Sequence, residues 1–233
     1  GRQLCARQDG EGGRLALGPF RLAVASCSQI QQVPSQPVWA DIQAAQPDAL
    51  LLLGDTVYLD RDDHDDPAAL AQELDRLYAA QLVEAHFAAL RTDLQARGAP
   101  LIAIYDDHDF LGDNRCGADA APALRDAARA SFVRAMAPRM TGAEVYRHHA
   151  LGGVDLLVLD GRYHRRPAAV SAQDRDALLG AAQWTWFEQS LSACRAPYLV
   201  VASSTPLYDW GDECWQRYPL AFERLVALLK GRP

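Results

Sequence analysis

The chain reads as an α/β domain with a mixed sheet, and three observations predict this. First, short apolar runs stop abruptly at acidic or metal-competent side chains, most clearly in LLLGDTVY (Leu51 to Tyr58) and IYDDHD (Ile104 to Asp109). Runs of that length bounded by such a break read as buried strands. Second, longer stretches between them carry apolar residues at helical spacing, and strands alternating with helices favour layered α/β packing. Third, EVYRHHAL and VDLLVLD flank Gly152-Gly153 as the arms of a hairpin would, so the strands are not all parallel.

Residues 1–19 are rich in Gly and Arg and read as a loose entry segment before a domain over 20–233. That segment has neither an initiator Met nor a signal-type apolar core, as a mature or trimmed end would. FRLAVASC (Phe20 to Cys27) is a strand ending at Ser26-Cys27, and a helix from Val38 is stopped by Pro47. The Leu50 to Leu53 strand follows, then an acidic loop, RDDHDD. Pro67 to Leu94 is Ala- and Leu-rich and forms one helix or two. PLIAIY (Pro100 to Tyr105) is a strand, FLGDNRCGADAAP a loop, and Ala123 to Met136 a helix. After the hairpin, Gly180 to Cys194 is an amphipathic helix in which Trp184, Phe187 and Leu191 lie three and four apart. PYLVVASST is a strand, and Pro219 to Leu229 a final helix. That helix leads into no further strand, so downstream sequence is expected to be missing.

Composition bounds the function. Of 233 residues 49% are apolar, enough for a sizeable core, and no apolar run is long enough to span a membrane. The net charge of −7 argues against bulk capture of nucleic acid, which needs a basic face. The five cysteines match no zinc-ribbon or CxxC spacing. Ligands of open α/β sheets sit outside the carboxyl ends of the strands. Two such ends deliver Asp55, Tyr58, Asp106, Asp107, His108 and Asp109, a set suited to a hard cation.

Six short motifs occur in order: Ser26-Cys27; Gly54 to Tyr58 (GDTVY); Asp106 to Asp109 with Asp113-Asn114; Leu159 to Arg162 (LDGR); Leu179 to Leu191 (LGAAQWTWFEQSL); and a Trp-rich loop with Tyr218 to Leu229 (YPLAFERLVALL). Together, over roughly residues 20–229, they resemble the alkaline phosphatase D (PhoD-like) branch of the metallophosphoesterases. The resemblance implies a two-sheet α/β sandwich with flanking helices, mixed sheets and a metal centre between strand ends. It implies iron (Fe3+) on Cys27, Asp55 and Tyr58, with calcium or another divalent metal beside it. Asp107 and Asn114 match the residues that bring the second metal, His108 the catalytic His, and Arg162 a phosphate ligand. Family members are commonly exported, which implies a periplasmic or secreted location. The family continues with a strand and a GDxH motif that this sequence does not reach, so a domain lacking that element is expected.

The chemistry implied is metal-dependent hydrolysis of a phosphate ester, monoester or diester. A two-metal centre lowers the pKa of bound water and clamps the oxygens of an in-line displacement. Asp55 is the candidate bridge, His108 the group that stabilises the phosphoryl group or protonates the leaving oxygen, and Asp109 the partner that orients its ring. Each residue also has a plainer reading. Asp55 is then a turn residue, Cys27 a small buried hydrophobe, Tyr58 a packing residue, Asn114 a turn residue and Arg162 half of a structural ion pair. Tyr163, His164, Arg165 and Arg166 form a basic rim or a solvated loop. His64, His86, His148 and His149 are read as non-ligating. Trp184 and Trp186 belong to core or helix surface, and Trp210 and Trp215 flank an acidic loop that would line a pocket. The competing function is a catalytically inactive binding module or an incomplete fragment. An Asp-nucleophile phosphatase fits less well, because GDTVY lacks the second Asp of such a loop, and no GxSxG or Walker A pattern occurs.

Overall fold

The computed structural model describes residues 19–59, 65–137, 144–171, 173–208 and 213–231. Residues 1–18, His64 with most of the RDDHDD run, and Trp210 lie outside the described residues. The first sheet orders β1 (Leu22–Ala25), β2 (Ala49–Leu53) and β3 (Leu101–Ile104) in sequence, all parallel, with Leu22 opposite Ala49 and Leu50 opposite Leu101. The second sheet orders β4 (Arg147–Leu151), β5 (Val154–Leu159) and β6 (Tyr198–Ser203). β4 and β5 are the antiparallel hairpin, turning at Gly152 in a left-handed conformation, and β6 lies parallel to β5. The mixed sheet is therefore the second one.

Helix α1 (Val38–Ala44) connects β1 to β2, and α2 (Pro67–Val83) with α3 (Ala85–Arg97) connects β2 to β3. The Pro67 to Leu94 stretch is thus two helices, because Glu84 leaves helical geometry at ψ 129° and caps the second with its own carboxylate. α2 starts on an Asp66 cap that accepts the Ala68 N–H at 2.9 Å. α3 runs to Arg97 and stops at Gly98, whose φ of 70° suits the left-handed cap. α4 (Pro122–Met136) leads to the hairpin. The one-turn α5 (Ala168–Ser171) and α6 (Gly180–Ala193) connect β5 to β6, and α7 (Pro219–Lys230) follows. A four-residue helix is too short to show periodicity, which is why α5 is invisible in the sequence.

Every residue of β5 is buried, and its two faces serve different cores. Leu156 and Val158 join the larger core with Leu50, Leu51 and Leu52 of β2, Phe87 of α3 and Phe132 of α4. Leu157 and Leu159 join the smaller core with Trp184, Phe187 and Leu191 of α6 and Leu225 of α7. Trp215 is fully buried in that smaller core and donates its indole N–H to Ser203 at 3.0 Å, so it lines no open pocket. No helix of the described residues is long and apolar enough to cross a membrane.

Glu84 joins α3 to the loop before α1. Its carboxylate accepts the Phe87 N–H at 2.7 Å and the Gln36 N–H at 3.2 Å, and meets the His86 ring at 3.1 Å. Burial pushes its pKa up, but the Phe87 N–H, His86 and the Gln36 N–H outweigh it and hold the group below its ordinary 4.5. A carboxylate lowered in this way adds stability above its unfolded pKa and loses it as pH falls through the folded one. Glu84→Gln should cost about 1 kcal/mol at neutral pH. In urea titrations the gap between the two proteins should close as the pH drops below 4.5.

Candidate metal centre

The parallel strands of the first sheet open their carboxyl ends on one edge. The β1–β2 pairing continues beyond the strands: the Cys27 N–H donates to the Gly54 carbonyl at 3.4 Å and the Ser28 N–H to the Asp55 carbonyl at 2.9 Å. This sets Cys27 beside Asp55. Cys27, Asp55 and Asn114 all have left-handed backbones, with φ of 59°, 52° and 57°. Non-glycine residues rarely adopt this region, and such strain concentrates at functional sites. Gly54 is also left-handed, and a Cβ there would stand 2.5 Å from the Cβ of Asp106, so the ends of β2 and β3 approach as closely as glycine permits.

Asp55 is the hub. Its Oδ2 accepts from the Cys27 thiol at 3.6 Å and the Tyr58 hydroxyl at 3.3 Å. Asp55, Asp107 and His108 each bring a ligand atom within 4.8 Å of the others. Burial, then the charges of Asp107 and Asp106, push the Asp55 carboxyl up to about 7. Burial and the Asp55 charge likewise push the Tyr58 phenol up. Asp55 Oδ1 and His108 Nδ1 are buried with no hydrogen-bond partner. A buried carboxylate oxygen without a donor, beside a second carboxylate, a thiol, a phenol and an imidazole, fits a cation, whose charge would reverse these pKa shifts.

Asp107 is held ready for such a role. Burial raises its pKa, but Arg162 and the backbone N–H groups of Asn114 (2.7 Å) and His108 (2.9 Å) outweigh burial and keep it low. Asn114 thus contributes its backbone N–H, while its side-chain amide donates to Asp113 at 3.1 Å. The His108 ring stacks on Tyr58 with centroids 4.2 Å apart, and its Nε2 lies 3.5 Å from Asp113.

Asp109 and Arg162 both take protein partners in the structure. Asp109 does not orient the His108 ring: its fully buried carboxylate turns back to accept the Thr56 N–H at 3.0 Å and the Asp106 N–H at 2.6 Å. It clamps the loop after β2 to the loop after β3. Arg162, expected on phosphate, is 2% exposed and already committed. It meets Asp106 at 2.5 Å, Glu213 at 2.6 Å and Asp107 at 3.7 Å, so the structural ion-pair reading describes it. Burial lowers its pKa, but these carboxylates outweigh burial and raise it. The basic rim also dissolves. Arg165 is buried against the Tyr218 hydroxyl (2.9 Å) and Glu213 (2.9 Å), and Arg166 pairs with Asp174.

Sequence reasoning missed two supporting residues. Ser204 donates to Asp106 at 3.0 Å, and its place just past an apolar run was a usable signal. Glu213 neutralises both Arg162 and Arg165 from an irregular loop, where no periodic signal exists. The Asp109 clamp is directly testable. Asp109→Ala removes the acceptor of the buried Thr56 N–H and the part-buried Asp106 N–H and should cost about 2–4 kcal/mol in urea denaturation. Asp109→Asn keeps an acceptor and should lose less.

A family model described as PhoD-like phosphatase matches residues 22–217. A search of curated proteins gave no match. Among solved structures, PhoD is similar with a TM-score of 0.69 at 19% identity, over 91% of this chain and 48% of that one. A dimetal phosphatase from Danio rerio (LOC 393393) is similar with a TM-score of 0.51 at 11% identity, over 91% of this chain and 78% of that one. These two likenesses are of fold, and the chain spans about half the length of the PhoD structure. The family match runs from the first residue of β1 past the whole metal centre, and on it the chain belongs to the PhoD-like phosphatase family.

Proposed function

We propose that this chain carries the metal-dependent centre of a phosphoesterase that hydrolyses phosphate monoesters, diesters or both. The observation that carries this reading is the convergence of Asp55, Asp107 and His108 within 4.8 Å at the strand ends, with Cys27 and Tyr58 on the same Asp55 oxygen. Cys27, Asp55 and Tyr58 would hold Fe3+, whose charge favours thiolate and phenolate. Asp55 and Asp107, with Asn114 alongside, would serve calcium or another divalent ion. Bound cations supply charge neutralisation and an activated water.

The remaining work belongs to side chains. His108 Nδ1 has no protein partner, so it is available to hold a proton for the leaving oxygen. Arg162 acts through Asp106 and Asp107, fixing their carboxylates rather than touching substrate. Asp109 keeps the two loops in register. The family resemblance extends this proposal to an exported location.

Elemental analysis after metal loading should find near-stoichiometric iron with a phenolate-to-iron absorption band, and Tyr58→Phe should lose that band. The loaded protein should hydrolyse p-nitrophenyl phosphate or its bis ester, and chelators should abolish turnover. His108→Ala should lower kcat by about 10²–10⁴. A fully metallated protein that turns over neither ester would favour the alternative, a phosphoesterase-like module that binds without catalysis.

A further inference from the structure

A separate group of metal-competent side chains lies at the opposite end of the second sheet. His148 on β4, Asp155 on β5 and Cys194, the residue capping the carboxyl end of α6, each offer one ligand atom within 4.8 Å of the others. β5 runs from Asp155 towards Asp160 and Arg162. Along it, Asp155 and Asp160 are roughly 16 Å apart at the rise of an extended strand. This group therefore shares no residue with the centre described above.

We propose that His148, Asp155 and Cys194 form a second metal site that takes zinc or a similar borderline-soft divalent ion. The donor set is the first argument. An imidazole nitrogen, a carboxylate oxygen and a sulfur suit zinc, whereas calcium and magnesium want oxygen alone. Geometry is the second. In the structure His148 Nε2 lies 2.7 Å from Asp155 Oδ1 and 3.9 Å from Cys194 Sγ. Tetrahedral zinc at its usual bond lengths separates nitrogen from sulfur by about 3.6 Å and nitrogen from oxygen by about 3.4 Å. The sulfur is near its place already, and the His–Asp pair must part by well under an ångström.

Preorganisation is the third argument. Asp155 Oδ2 accepts the Arg195 N–H at 2.7 Å and the Ala196 N–H at 2.8 Å, which fixes the carboxylate and presents Oδ1 to the site. Ligands steadied from behind in this way are the usual support of a metal centre. Asp155 and Cys194 are buried, while the His148 side chain is 27% exposed and gives an ion its way in. Three protein ligands leave a fourth position for water. The site would tie β4, β5 and the end of α6 together. The competing description is a plain His148–Asp155 hydrogen bond beside a buried thiol.

Cobalt titration separates the two. In a Cys27→Ser background, which removes the thiol of the first centre, added Co2+ should give a thiolate-to-cobalt band that saturates near one ion per chain. Adding Cys194→Ser should abolish the band. No band with excess cobalt, or a band that survives Cys194→Ser, overturns the proposal. His148→Gln guards against misfolding of the Cys194 variant, because its side chain is part-exposed. It should weaken zinc affinity at least tenfold in competition with a chromophoric chelator, and unchanged affinity would equally overturn the site.

Discussion

The guanidinium of Arg162 is where the two sheets are locked together at the metal edge. It follows β5 of the second sheet, yet it meets Asp106 and Asp107 in the loop after β3 of the first, and Glu213 from a third segment. A buried cation without partners would cost several kcal/mol, so these carboxylates must stay where they are. The dependence is mutual. Asp106 and Asp107 crowd the same edge as Asp55, and the fixed positive charge of Arg162 beside them offsets their mutual repulsion. A planar guanidinium can serve several carboxylates at once, as a lysine ammonium does less well. Ion pairs of this kind add little net stability, and here the network specifies the register between two sheets.

Backbone and charge act on the site in complementary ways. The strands are short, and the ligand candidates sit two or more residues beyond them, in loops where Cys27, Asp55 and Asn114 take left-handed backbones. Such loops would drift without a clamp. Asp109 provides it from beneath, through the backbone N–H groups of Thr56 and Asp106. One acidic segment thus divides its labour. Asp106 faces Arg162, Asp107 faces the ligand cluster, and Asp109 faces the scaffold.

The sequence carried most of the fold, and the reason is local. Among the described residues, apolar runs and helical spacing located the six strands and each helix longer than four residues. Capping chemistry that depends on one residue, such as the break at Glu84, was ambiguous because two helices in tandem share one periodicity. At the centre, residue types identified the ligand candidates around Asp55, Asp107 and His108. Side-chain direction was not legible: adjacent acids in DDHD look interchangeable in sequence, and only the turn geometry sends Asp109 inward. The partners of Arg162 were illegible for a different reason. Its burial depends on Glu213, some fifty residues away and outside any recognisable pattern. His148 reads in sequence only as an alternating strand residue, because its neighbours Asp155 and Cys194 come from separate elements.

The arrangement of β5 has a mechanical consequence. A strand whose alternate side chains enter two different cores ties those cores into one cooperative body. Among the described residues, β5 thus joins the two cores directly. Any widening of the edge at the strand ends must therefore come from rearrangement of the rim beyond them. Differences in selectivity between relatives of this architecture should then accumulate in those rim segments, while β5 and its flanking apolar residues tolerate little change.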